Sequence, residues 1–133
     1  MERKVIGLNV QRNHDTILKN LNNEYKELLE ASPQAVYLYM DDHHILWNKK
    51  FGEMVGYKTP SLAHKTKRTF LDLFVDEKSQ RVLASAYMKA MENAKGSSIP
   101  IVWKNKNGKK KKANTILVPI PFQGHMIALH FIG

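Results

Sequence analysis

Residues 28–57 read LLEASPQAVYLYMDDHHILWNKKFGEMVGY, and the order of signals in this run decides the fold. Ser32-Pro33 ends the helix that precedes it, because the residue before a proline is pushed away from helical backbone angles. Ala35 to Met40 is a short apolar run rich in strand formers. Asp41-Asp42-His43-His44 reads as a polar turn, and Ile45-Leu46-Trp47 begins a second strand. Asn48 then leads into a short helix with Phe51, Met54 and Val55 on one side. Gly56 can end that helix in a left-handed conformation.

Upstream, residues 1–13 show little pattern beyond Val5, Ile6, Leu8 and Val10, and read as a short strand or a loose arm. A helix is expected from Asn13 or Asp15, either of which can cap it. Leu18, Leu21, Tyr25 and Leu28 recur at spacings of three and four, with Ile17 and Leu29 widening the stripe. This face can pack onto the domain, serve as a helix-to-helix dimer interface, or do both. The chain is therefore divided into an arm and amphipathic helix (1–30) and a folded domain (31–133).

Downstream, Pro60 to Phe74 reads as short helical turns and loop, carrying Leu62, Phe70, Leu71, Leu73 and Phe74. Asp76 caps the clearest helix, with Val82, Leu83, Ala86, Tyr87, Ala90 and Met91 on one stripe and Lys95-Gly96 as its stop. Strands follow at Ile99–Lys104, Thr115–Ile120 and Met126–Ile132. Asn107-Gly108 is a hairpin signal, and Pro119 and Pro121 mark a strand end or an edge. Helices grouped between strand pairs imply an α+β domain: a five-stranded antiparallel sheet with helices covering one face.

Composition sets limits on function. The 133 residues, 43% hydrophobic, suit one domain with a real core. Without cysteine there is no disulfide, thiolate metal site or cysteine nucleophile. No apolar run approaches the ~18–20 residues of a membrane span, and the N-terminus lacks the apolar core of a secretory signal. The expected location is the cytoplasm. The net charge of +9 raises the prior for an anionic partner. Its most concentrated part, Lys109 to Lys112 after Asn107-Gly108, reads as a solvated loop tip. No aromatic residues interleave with that run for base stacking, which argues against nucleic acid.

Several pieces then resemble the PAS domains of signalling proteins, over roughly residues 24–132. Leu28-Leu29-Glu30-Ala31-Ser32-Pro33 resembles the lead-in to their first strand, and Asn48, Phe51, Gly56 and Tyr57 match their N-x-x-F-x-x-x-x-G-Y pattern. Phe70-Leu71-Asp72-Leu73-Phe74 resembles the segment before their long helix, and Val102-Trp103-Lys104 with Asn107-Gly108 resembles a C-terminal hairpin. Asn48, Gly56 and Tyr57 are read as fold-building residues: a turn-fixing amide, a chain reversal and an amphipathic edge.

The resemblance implies a sensor or interaction module. Blue-light flavin versions need a reactive cysteine, so that adduct chemistry is excluded here. Haem versions usually carry an axial histidine on the long helix; Asp76 to Lys95 has none, which argues against haem. His64, His43-His44, His125 and His130 show no reliable metal-site spacing along any one element, so no metal is expected. No Ser–His–Asp trio or carboxylate pair suggests an enzyme. The candidate pocket comprises Val36, Leu38, Trp47, Phe51, Met54, Val55, Phe70, Leu73, Phe74, Leu83, Tyr87, Met91, Trp103, Ile116, Val118, Ile127 and Leu129. These either line a site for a small apolar or aromatic ligand or simply form a filled core.

The leading expectation is a PAS-like homodimer that signals by population shift, with residues 17–29 passing the change to an effector such as a sensor kinase or transcription regulator. Its output is expected on another polypeptide, or this is a piece of a larger protein. The alternatives are a ligand-free dimerisation domain and a nucleic-acid-binding module using Lys104, Lys106 and Lys109 to Lys112.

Overall fold

The computed structural model of the chain describes residues 2–133, with side chains from Asn13 onward. Helix α1 (Glu2–Ala31) precedes β1 (Ala35–Asp41) and β2 (His44–Trp47). Three short helices follow, α2 (Lys49–Val55), α3 (Pro60–His64) and α4 (Phe70–Phe74), then the long α5 (Glu77–Asn93). The chain closes with β3 (Ser97–Lys104), β4 (Lys110–Phe122) and β5 (His125–Ile132). All five strands form one antiparallel sheet in the order β2-β1-β5-β4-β3.

Several local expectations shift. α1 starts at Glu2, so the expected arm is helical; no proline interrupts it. The side chains of Val5, Ile6, Leu8 and Val10 lie outside the described residues. Asn13 and Asp15 are therefore interior, not caps. The left-handed residue that ends α5 is Ala94 (φ 52°) rather than Gly96. Gly96 instead permits close approach, since a Cβ there would stand 3.1 Å from the Leu117 carbonyl oxygen. β4 runs through Pro119 and Pro121 to Phe122. This is possible because β3 pairs only as far as Ser97↔Leu117, so both prolines sit where β4 has β5 as its single neighbour. The hairpin loop is Asn105–Lys109, closed by Asn105 and Lys109 main-chain groups, and Lys110–Lys112 open β4 rather than capping a loop.

Asn48 holds the corner between β2 and α2. Its Oδ1 accepts from the Phe51 N–H (3.0 Å) and from the Val36 N–H (3.1 Å), and its Nδ2 donates to the Gln34 carbonyl (2.8 Å). One buried amide thus caps α2 and anchors the start of β1. Gly56 ends α2 at φ 89°, a left-handed angle that side chains resist. Tyr57 covers the core edge, its ring 5.8 Å from that of Phe74 and lying under Lys106.

The sheet separates two apolar layers. On one face α2–α5 enclose Tyr37, Ile45, Phe51, Val55, Phe70, Phe74, Ile101 and Trp103. On the other, α1 lays Ile17, Leu21 and Leu29 over Val36, Leu38, Met40, Ile127 and Leu129. The expected helix-covered face is present, and α1 covers part of the opposite one.

Replacing Asn48 with Ala should destabilise the protein by about 2–4 kcal/mol, because the hydrogen bonds go and the buried Val36 N–H is left unpaired. Urea denaturation measures this; a loss within about 0.5 kcal/mol, the size of an ordinary surface substitution, would contradict the anchoring role.

Candidate functional site

A cavity of about 110 Å³ lies between the sheet and the helices, lined by Tyr37, Tyr39, Phe70, Leu71, Leu83, Ala84, Tyr87 and His130. Tyr39 donates its hydroxyl to Asp42 Oδ1 (2.6 Å), and Tyr87 donates to the Met40 carbonyl (3.1 Å). Tyr37 is fully buried, yet its hydroxyl has no partner among the described residues. Burial raises the pKa of all three phenols, so each keeps its proton. Tyr37 thus forms part of a largely apolar cavity wall, and its unpaired hydroxyl is buried within that wall.

His130 forms its floor. It pairs across the strands with Tyr37, and the two rings stack at 4.0 Å and 7°. Its Nδ1 lies 3.1 Å from the Ala128 carbonyl. Burial pushes its pKa down to about 3, so the ring is neutral and Nδ1–H can donate there.

The expected pocket residues divide between the two faces of the sheet, the strand residues among them by parity. Phe70, Leu83 and Tyr87 line the cavity. Trp47, Phe51, Met54, Val55, Leu73, Phe74 and Trp103 pack in the surrounding core, and Met91 lies against the patch around Ala86, Ala90 and Leu117. Val36, Leu38, Val118, Ile127 and Leu129 lie on the opposite face beneath or beside α1, and Ile116 is 41% exposed. Both faces of β1 are apolar, so hydrophobicity could not say which side meets the helices. Tyr37, Tyr39 and His130 were missed for that reason, although the alternation of His130 with Leu129 already set it apart.

Of the expected dimer residues, Leu21 is fully buried against the sheet, Leu18 and Tyr25 are partly so, and Leu28 is 38% exposed. His64 does not line the cavity; its ring lies 5.7 Å from that of His43.

A second cluster forms where α1 passes the β1–β2 hairpin. His14 Nδ1 stands 2.9 Å from Asp41 Oδ2, and His44 Nδ1 lies 2.8 Å from Asp41 Oδ1. His44 Nε2 meets Asp15. Burial alone would lower the His44 pKa, but its bonds to Asp41 and Asp15 outweigh this and raise it. Burial likewise works to raise Asp41, but bonds from His44, His14 and the His43 N–H hold it below its usual value. His14 and Asp41 are 27 residues apart, so no spacing along one element could show this group.

No protein-family model matches the chain, and no curated protein does. Solved structures do. The PAS domain of an HTR-like protein from Haloarcula marismortui aligns over 92% of this chain and 98% of its own, at TM-score 0.58 and 14% identity. A PAS domain from a two-component sensor histidine kinase covers 86% and 97%, at TM-score 0.60 and 14% identity. The fold is that of a PAS domain. A Rhodobacter sphaeroides LOV protein is also similar, at TM-score 0.63 and 14% identity, over 86% of this chain and 66% of that one. Within this PAS-like fold the cavity lies between the sheet and helices α4 and α5, and no described helix is long and apolar enough to cross a membrane.

His130 should make stability fall with acid. The unfolded chain binds a proton near pH 6.5, whereas the folded ring resists protonation down to about pH 3. Its stabilising contribution is complete above 6.5 and is lost between those values, at about 1.4 kcal/mol per pH unit. His130→Phe keeps a ring against Tyr37 and should flatten this part of the pH profile of urea unfolding. Parallel profiles for the two proteins would refute the assignment.

Proposed function

We propose that the chain is a non-enzymatic signalling module of the sensor and protein-interaction kind, which couples a small ligand behind Tyr37 to the position of α1 and acts as a homodimer. The observation that carries this reading is the alternation of β1. Tyr37 borders the cavity, while Val36 and Leu38, its neighbours in the strand, pack beneath α1. A ligand that orders or tilts Tyr37 therefore acts on the strand that supports α1 and shifts the population of α1 packings.

The cavity volume supports a ligand of a few heavy atoms, near the roughly 150 Å³ that accommodates benzene. Flavin and haem are far larger, and the surrounding aromatic core is filled. The ligand reading favours a small aromatic that packs on the Tyr37, Tyr39 and Tyr87 rings and reaches the buried, unpaired Tyr37 hydroxyl as that ring tilts. For the dimer, Ile116, Val118 and Ile120 form an apolar strip on the α1 side of β4, with Ile116 the most exposed. Effectors such as a sensor kinase or transcription regulator fit a module of this kind. The basic strip is partly consumed within the fold, since Lys110 Nζ pairs with Asp76 at 2.8 Å. This weighs against a nucleic-acid partner.

Phenol should raise Tm and alter amide hydrogen exchange along residues 17–29. Ala84→Phe, which fills the cavity, should abolish both effects. Stabilisation without any change along α1 would remove the coupling, and no stabilisation would remove the ligand.

Light scattering should give a wild-type mass of twice 15.3 kDa and a monomer for Ile116→Asp. A monomeric wild type would rule out the homodimer. Leu21→Asp cannot test this point, because Leu21 is buried beneath the sheet and its change would damage the fold.

A further inference from the structure

The His14–Asp41–His44 cluster has a geometry that ion pairing alone does not require. Two imidazole Nδ1 atoms converge on the two oxygens of one carboxylate, and the ligand-capable atoms lie within 4.8 Å of one another. Two imidazoles and a carboxylate are a donor set that suits zinc, with the remaining position open to water. The third feature is His44 itself. With Nδ1 turned to the cluster, its far nitrogen meets the Asp15 carboxylate. A metal-bound histidine is usually held in this way, by an outer carboxylate that fixes its tautomer and orientation.

The placement also gives such an ion something to do. His14 and Asp15 lie on α1, whereas Asp41 and His44 end β1 and begin β2. The His125 ring, at the start of β5, stands 5.2 Å from that of His14, so a third imidazole borders the site. Asn20 on α1 donates to Gln123 in the adjoining β4–β5 turn at 3.0 Å, which brings that turn against the same helix.

We propose that His14, Asp41 and His44 form a binding site for a zinc-class divalent ion, held from outside by Asp15, that fastens α1 to the β1–β2 hairpin. His14 Nδ1, His44 Nδ1 and an Asp41 oxygen are the ligands, and Asp15 is a positioning residue. The separations of 2.8–2.9 Å between each imidazole Nδ1 and its Asp41 oxygen are those of proton-sharing contacts, so the ion takes the place of the shared protons as the groups move slightly apart. Zinc binding stabilises the folded chain by mass action. It also biases α1 toward the sheet, whatever occupies the inner cavity.

The test is titration of the chelator-treated full chain with Zn²⁺ by calorimetry, Co²⁺ absorption reporting the ligand field, and Tm read in parallel. One Zn²⁺ per chain should bind, Tm should rise, and Mg²⁺ should do neither. His14→Gln should lose the Tm rise. Asp15→Asn, at a side chain 70% exposed, should fold normally and bind zinc about 10- to 100-fold more weakly. This second variant decides the matter if His14→Gln proves unstable. No zinc-dependent rise in wild-type Tm, or wild-type affinity in Asp15→Asn and His14→Gln, would overturn the proposal.

Discussion

β1 and β5 lie at the middle of the sheet between two apolar layers, and this double burial governs the arrangement of the rest. Each residue in these strands is assigned by parity to the layer under α2–α5 or to the layer under α1. Tyr37 and His130 meet across the strands on the first side; Val36, Leu38, Ile127 and Leu129 serve the second. A slip of one residue would exchange the two sets and put the tyrosines beneath α1. Asn48 guards against this by fixing the main chain at Gln34 and Val36 to the first turn of α2. Its side chain therefore sets which atoms reach the cavity, although it lies outside the cavity lining.

The same constraint sorts the histidines. His130 is enclosed by the inner layer with a backbone carbonyl as partner, and burial keeps it neutral. His44 lies at the hairpin end, where two carboxylates outweigh its burial and favour the charged form. Charge thus gathers at the rim, where α1 crosses the hairpin and water is near. The polar side chains buried inside are uncharged: phenols, the His130 imidazole, the Asn48 amide and the Ser79 and Thr115 hydroxyls.

These two regions lie on opposite sides of the strands that join them. The inner cavity measures about 110 Å³, and the aromatic rings of Phe51, Phe70, Phe74 and Trp103 pack against one another beside it. A tightly filled core passes strain rather than absorbing it. Among the described residues α1 meets the sheet through Ile17, Leu21 and Leu29, and through polar contacts of His14 and Asp15 with the hairpin and of Asn20 with Gln123.

The sequence by itself determined the element order, the antiparallel sheet and the corner at Asn48 and Gly56, because these rest on local signals: a capping amide, a left-handed glycine and turn residues at fixed offsets. It also marked the stripe of Ile17, Leu21 and Leu29, since a helix buried on one side keeps its period. Tertiary structure decided what local chemistry leaves open. With apolar residues at both parities of β1, only the packing showed that Tyr37 faces the helices while Val36 and Leu38 face α1. Only the fold placed His14 beside Asp41 and His44, because that meeting depends on where α1 crosses the sheet and not on any spacing along the chain.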